Sequence, residues 1–145
     1  MNDEQNNQND GADASGATNP NAGKTILVAD DESHILHVVS LKLKNAGFRV
    51  VTARDGQEAY ELAQAEHPDL IITDYHMPQL SGLELCRKLK QDAATQDIPA
   101  IMLTARGYHL EPHDTEQSGI LRMLSKPFSP RHLLATVNEV LTNAA

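Results

Sequence analysis

The sequence has little cysteine, little positive charge and no long apolar run. Its one cysteine, Cys86, excludes an internal disulfide and fits a reducing compartment. Twelve Lys and Arg face twenty Asp and Glu, leaving a formal net charge of −8. That balance argues against direct nucleic-acid binding, which needs a basic patch to neutralise phosphates, and suits a cation or a basic partner. No apolar stretch approaches the roughly 20 residues that span a bilayer, and the N-terminus lacks the charged and apolar regions of a signal peptide. The expectation is a cytoplasmic protein without membrane contact. Residues 1–23 lack almost any side chain worth burying, and their charges, Asp3, Glu4, Asp10 and Asp13, are all acidic. Such a segment cannot offset its ordering entropy, so it reads as a disordered acidic tail ahead of a single domain at 24–145. A total of 145 residues, 40% of them hydrophobic, gives one ordinary core and leaves no room for two.

From Lys24 onward, short apolar runs alternate with helical periodicity, and there are no internal repeats. The runs are 25–29, 48–53, 70–73, 100–104 and 121–124, each short enough for a strand and aliphatic enough to be covered on both faces. Between them lie helical stretches at 33–45, stopped by Gly47, 56–66, stopped by Pro68, 82–91, and 130–143. Leu36, Val39 and Leu43 share one face of the first; Leu133, Leu134, Val137, Val140 and Leu141 stripe the last. The connection after the fourth run, RGYHLEPHDTEQSG, carries Gly107 and Pro112 with only Tyr108 and Leu110 as large apolar anchors, which predicts a short or irregular helix. The pattern predicts an α/β fold, a (βα)5 doubly wound parallel sheet of five strands. In such sheets, sites assemble outside the carboxyl ends of the strands.

Chemistry-bearing residues stand at those ends. Asp30 and Asp31 close the first strand, Asp74 the third and Thr104 the fourth, and Lys126 follows the fifth. By themselves, Asp30 and Asp31 read as turn chemistry and capping of the next helix. Lys126 alone reads as a surface lysine, and Thr104 alone as a hydroxyl bonded to backbone. Together the three carboxylates would repel one another unless their pKa values rise or a cation joins them. Oxygen ligands without Cys or His favour Mg²⁺ or a similar divalent ion such as Mn²⁺.

Four motifs in order, ADD at 29–31, TDYHMPQLSG at 73–82 as DxxMPxxxG, LTA at 103–105 and SKPF at 125–128, make the chain resemble the CheY-like receiver domains of two-component response regulators. The resemblance covers residue 24 to about residue 143 and implies a flavodoxin-like strand order of 2-1-3-4-5. It implies Asp74 as phosphoacceptor, taking a phosphoryl group from a sensor histidine kinase or a histidine phosphotransfer protein. Asp31 would ligate Mg²⁺ directly, Asp30 mainly through water, and the backbone carbonyl of His76 would complete the protein's share. Lys126 would pair with the phosphoryl oxygens, Thr104 would hydrogen-bond another and report its arrival, and Lys126–Pro127 would be a cis peptide. Where the family commonly carries an aromatic switch residue, this chain has Met123, which points the conformational response toward the connection at 106–118. The resemblance implies a signalling module rather than an enzyme with turnover. With few residues after the last helix, the expectation is no DNA-binding output domain, the signal passing to an unspecified protein partner.

Other readings are weaker on the residues. A haloacid-dehalogenase phosphatase also uses a strand-end aspartate with Mg²⁺, but resembles DxDx(T/V) after the first strand, whereas the candidate nucleophile here lies on the third. A nucleotide- or flavin-binding domain wants a first loop rich in Gly, Ser or Thr, and the loop here is DDESH. The pairs His34/His37 and His109/His113 could bind a transition metal by spacing, but lack an obvious third ligand and read as solvent-exposed. Cys86 reads as a packed core residue, since nothing cationic adjoins it in sequence to lower its pKa.

Overall fold

Three of the five strands are aliphatic at nearly every position, which lets both of their faces be covered. The computed structural model describes residues 19–105 and 110–144. Elements alternate as β1 (Thr25–Ala29), α1 (Ser33–Asn45), β2 (Arg49–Ala53), α2 (Gly56–Glu66), β3 (Leu70–Asp74), α3 (Gly82–Lys90), β4 (Ala100–Thr104), α4 (Pro112–Ser118), β5 (Ile120–Ser125) and α5 (Pro130–Ala144). The strands form one parallel sheet in the order β2-β1-β3-β4-β5. The central strands β3 and β4 are buried throughout, whereas the edge strands β2 and β5 are partly exposed.

Side chains alternate across each strand and divide the core. Ile26, Val28, Ile72, Ile101 and Leu103 pack toward Leu36, Val39 and Leu43 of α1 and Leu133, Val137, Val140 and Leu141 of α5. Leu27, Ala29 and Ile71 pack on the opposite face with Ala59 and Ala63 of α2 and Leu85 and Leu89 of α3. A third cluster joins Leu83, Cys86, Ala100, Met102 and Ile120, with Tyr75, Leu110 and Met123 against it. Cys86 is thus a core residue, and burial pushes its thiol pKa up to about 12. Truncating a fully buried leucine such as Leu43 or Leu133 costs about 2–5 kcal/mol in lost transfer energy and cavity formation.

Local chemistry sets the helix ends. The Asp55 carboxylate accepts from the Glu58 N–H at the start of α2. At the start of α3, Ser81 and Glu84 form a reciprocal capping box. The segment after β4 does form a short helix, seven residues that begin on Pro112, whose missing N–H costs nothing at a first turn. It ends on Gly119, where φ is +71°. The fifth strand is longer than its apolar run suggests. Ala100 pairs with Ile120 but Ile101 with Arg122, so Leu121 bulges out and is half exposed.

The boundary expected after Gly23 needs correction. Residues 19–23, assigned by sequence to the tail, form a turn against the domain. Asn21 is buried and donates from Nδ2 to Asn138 Oδ1 at 3.1 Å on α5, and Asn19 Nδ2 donates to the Ala46 carbonyl at 3.0 Å. The Gly23 N–H donates to Gly47 O at 2.9 Å. Two asparagines in a polar run carry no apolar signal, so composition alone merged them with the tail. Residues 1–18 lie outside the described residues. No helix among the described residues is long and apolar enough to cross a membrane.

Candidate functional site

Strand register gathers the site. Ala29 pairs with Thr73, so the next residues, Asp30 just past β1 and Asp74 at the end of β3, stand side by side at the carboxyl edge. Asp74 pairs with Leu103, which puts Thr104 one step beyond on the neighbouring strand. Thr104 pairs with Ser125, and its carbonyl accepts from the Lys126 N–H at 2.8 Å. Lys126 therefore turns back over the same edge, with the Lys126–Pro127 peptide cis.

Carboxylate oxygens of Asp30, Asp31 and Asp74 all lie within 4.8 Å of one another. Asp30 is fully buried and Asp74 nearly so, while Asp31 is exposed. Asp30 keeps part of the role that turn chemistry predicts, since its Oδ1 accepts from the Glu32 N–H at 2.9 Å. Neither aspartate caps α1; Glu32 stands at that position and makes no side-chain cap.

The positive side of the site is one ammonium. Lys126 Nζ donates to Asp30 Oδ2 at 2.9 Å and Glu32 Oε1 at 2.7 Å and lies 3.4 Å from Asp74 Oδ1. Burial alone would lower the lysine pKa, but the hydrogen bonds it donates to Glu32 and Asp30, with the charges of Asp30 and Asp74, raise it above its ordinary value. Burial, aided by the charge of Asp30, raises the Asp74 carboxyl above its usual range, and Lys126 only partly opposes this. One lysine does not neutralise three clustered carboxylates, so the group retains an attraction for a divalent cation. Oxygen-only donors, two of them buried, fit Mg²⁺ or Mn²⁺.

Thr104 Oγ1 is buried and has no hydrogen-bond partner among the described residues. A buried hydroxyl is costly to leave unpaired, and this one stands at the strand end beside the cluster, free to donate. The backbone around Asp74 is tightly fixed. Tyr75 N–H donates to Leu103 O at 2.9 Å, Gly82 N–H to Tyr75 O at 2.8 Å, and Thr73 Oγ1 to Asp74 O at 3.0 Å.

Comparisons with known proteins show the family and the fold. The response regulator receiver domain family matches residues 26–138. This chain belongs to that family. The receiver domain is 42% identical over 119 residues to the phosphate regulon transcriptional regulatory protein PhoB of Pseudomonas aeruginosa, covering 82% of this chain and 52% of that protein. It is 39% identical to the alkaline phosphatase synthesis transcriptional regulatory protein PhoP of Bacillus subtilis, covering 81% of this chain and 48% of that one. The chain thus spans about half the length of the curated relatives it matches. Among solved structures, the chemotaxis response regulator CheY4 of Vibrio cholerae superposes with a TM-score of 0.76 at 34% identity, covering 82% of this chain and 99% of that one. The receiver domain of sensor histidine kinase PA1611 of Pseudomonas aeruginosa, with a magnesium ion coordinated in its active-site cleft, superposes at 0.74 with 27% identity, covering 83% and 99%. The protein is a CheY-like receiver domain of the two-component response regulators, a signalling fold.

Five of the residues singled out by sequence, Asp30, Asp31, Asp74, Thr104 and Lys126, lie along this one edge of the receiver domain. His76 sits on the loop after β3 with its side chain exposed and its ring edge-on to Tyr75, centroids 4.7 Å apart. Met123 is half buried in the third core cluster. His34, His37 and His113 are exposed, and His109 lies outside the described residues. Sequence reasoning missed Glu32 as a partner of Lys126. Its only signal was position, directly after the aspartate pair.

Proposed function

We propose that this receiver domain takes a phosphoryl group onto Asp74 from the phosphohistidine of a sensor histidine kinase or a histidine phosphotransfer protein. The observation that supports this best is one ammonium 3.4 Å from Asp74 beside a buried hydroxyl without a partner among the described residues, Thr104 Oγ1, at the end of the adjacent strand. An Asp74 carboxylate oxygen attacks phosphorus in line; the new O–P bond forms as the N–P bond breaks, and the departing imidazole takes up a proton. Lys126 donates to the phosphoryl oxygens, and Thr104 gains the acceptor it lacks. Asp31 would hold Mg²⁺ directly, Asp30 chiefly through water, and the His76 carbonyl would add a ligand; bound there, the ion supplies neutralisation of the charge that develops on the phosphoryl oxygens. Asp74 and its neighbours form a phosphoacceptor, not a turnover enzyme. The phosphorylated state acts by a shift between two conformations that a protein partner distinguishes. The single buried thiol and the acidic net charge support a cytoplasmic setting without direct nucleic-acid contact.

Intact mass after incubation with acetyl phosphate and Mg²⁺ tests the reading. One added phosphoryl group is expected for the natural sequence and none for Asp74→Asn. Equal labelling of Asp74→Asn at another carboxylate would overturn the assignment.

A further inference from the structure

The Lys126 ammonium faces two aspartates of the acidic cluster and one carboxylate from outside it. Its shortest contact is to that outsider, Glu32, at 2.7 Å, against 2.9 Å to Asp30 and 3.4 Å to Asp74. Glu32 stands at the N-cap position of α1, yet its side chain bonds nothing in its own helix. It reaches across the mouth of the site instead, to a residue 94 positions away. Lys126 holds the Glu32 carboxyl below its ordinary pKa, as expected for an ion pair.

An ammonium has three donors. Two of them are engaged by Glu32 and Asp30, at shorter distances than the 3.4 Å that separates the lysine from Asp74. A phosphoryl group on Asp74 must recruit Lys126 from that arrangement. We propose that Glu32 is a positioning residue that competes with the phosphoryl oxygens for Lys126, holding the lysine back in the resting state and weakening the phosphorylated one. This rests on the phosphoacceptor reading of Asp74. Glu32 could oppose an incoming anion in two ways, by occupying Lys126 or by simple repulsion. Only the first requires the lysine.

The test is the affinity for beryllofluoride with Mg²⁺ in excess, measured by NMR titration for the natural sequence, Glu32→Gln, Lys126→Ala and the double variant. Glu32 is exposed, so its substitution leaves the core intact. Glu32→Gln is expected to bind about two- to fivefold more tightly, the range of a partly exposed ion pair. That gain should vanish in the Lys126→Ala background, and Glu32→Asp should return part of the way to the natural affinity. In the absence of ligand, the Lys126 Nζ resonance should shift in Glu32→Gln. An equal gain without the lysine, no gain at all, or an unshifted Nζ resonance would each overturn the proposal. A natural sequence that neither binds beryllofluoride nor gains phosphoryl mass would instead overturn the phosphoacceptor reading beneath it.

Discussion

The backbone of Gly82 packs directly under the carbonyl oxygen of Asp74, so close that a side chain at position 82 has no room. The start of α3 therefore serves as a rest for the strand end that carries the acceptor. A Cβ there would also press on Met102 Sδ, at 3.0 Å. Gly82→Ala is expected to destabilise the fold by about 1–3 kcal/mol through overpacking. It should also slow labelling by acetyl phosphate, because the Asp74 backbone must shift to admit the methyl group. Thermal unfolding and intact mass check the two effects separately; a variant of unchanged Tm and unchanged labelling rate would contradict the contact.

Mg²⁺ should stabilise the resting domain, since three clustered carboxylates share one lysine. A ligand that binds only the native state raises stability by about 2.7 kcal/mol at a hundredfold excess over Kd. Tm should therefore climb with Mg²⁺ concentration and stay flat for Asp31→Asn, whose exposed carboxylate has no other partner to lose among the described residues. A Tm of the natural sequence that ignores Mg²⁺ would count against the ion.

Residues 19–23 should contribute to stability although they resemble the tail in composition. Asn21→Ala removes a buried amide and its hydrogen bond to Asn138, a loss of about 0.5–1.5 kcal/mol. Deleting residues 1–18 should leave Tm unchanged, whereas deleting 1–23 should lower it. Equal Tm values for the two truncations would show that the turn adds nothing.

The capping box at α3 carries a pH dependence. Hydrogen bonds with Ser81 lower the Glu84 pKa from its ordinary 4.5. A carboxyl whose folded pKa is depressed adds stability above its unfolded pKa and loses it as pH falls through the folded value. The Glu84 contribution is thus fully present at neutral pH, begins to fade as pH drops below its ordinary 4.5 and is gone once pH falls through the lower folded value. Ser81→Ala should cost about 1 kcal/mol at neutral pH and bring the Glu84 titration, followed by NMR, back toward 4.5.

The conformational response should centre on α4 and its approach, residues 106–118, rather than on Met123. Met is unbranched and fits more than one packing arrangement, so it biases neither state strongly. The described part of that stretch is held by few ties: Arg87 of α3 pairs with Asp114, and Leu110 packs on the third core cluster. Beryllofluoride should change amide exchange across 110–118, and Asp114→Asn should raise exchange there before any ligand is added. Met123→Ala should leave both labelling and the response largely intact; loss of the response would show that Met123 does the aromatic's work.

The sequence by itself determined which residues stand at the carboxyl edge. A parallel strand buried on both faces is mostly aliphatic, so a carboxylate or hydroxyl at or just past the end of an apolar run marks its carboxyl edge, as at Asp30, Asp74 and Thr104. It also pointed to a short or irregular α4, because the connection carries Gly107 and Pro112 and few apolar anchors. Tertiary structure decided the rest. The choice of Glu32 and Asp30 over Asp74 as the closer partners of Lys126 depends on register and on where α1 begins, neither of which any local periodicity encodes. The same holds for the unpaired Thr104 hydroxyl, for the bulge that expels Leu121, and for Asn21, which is buried only because Asn138 and Thr142 face it from a helix more than a hundred residues away. Polar contacts across such separations are set by the angle and spacing of packed elements, and those exist only once the chain has folded.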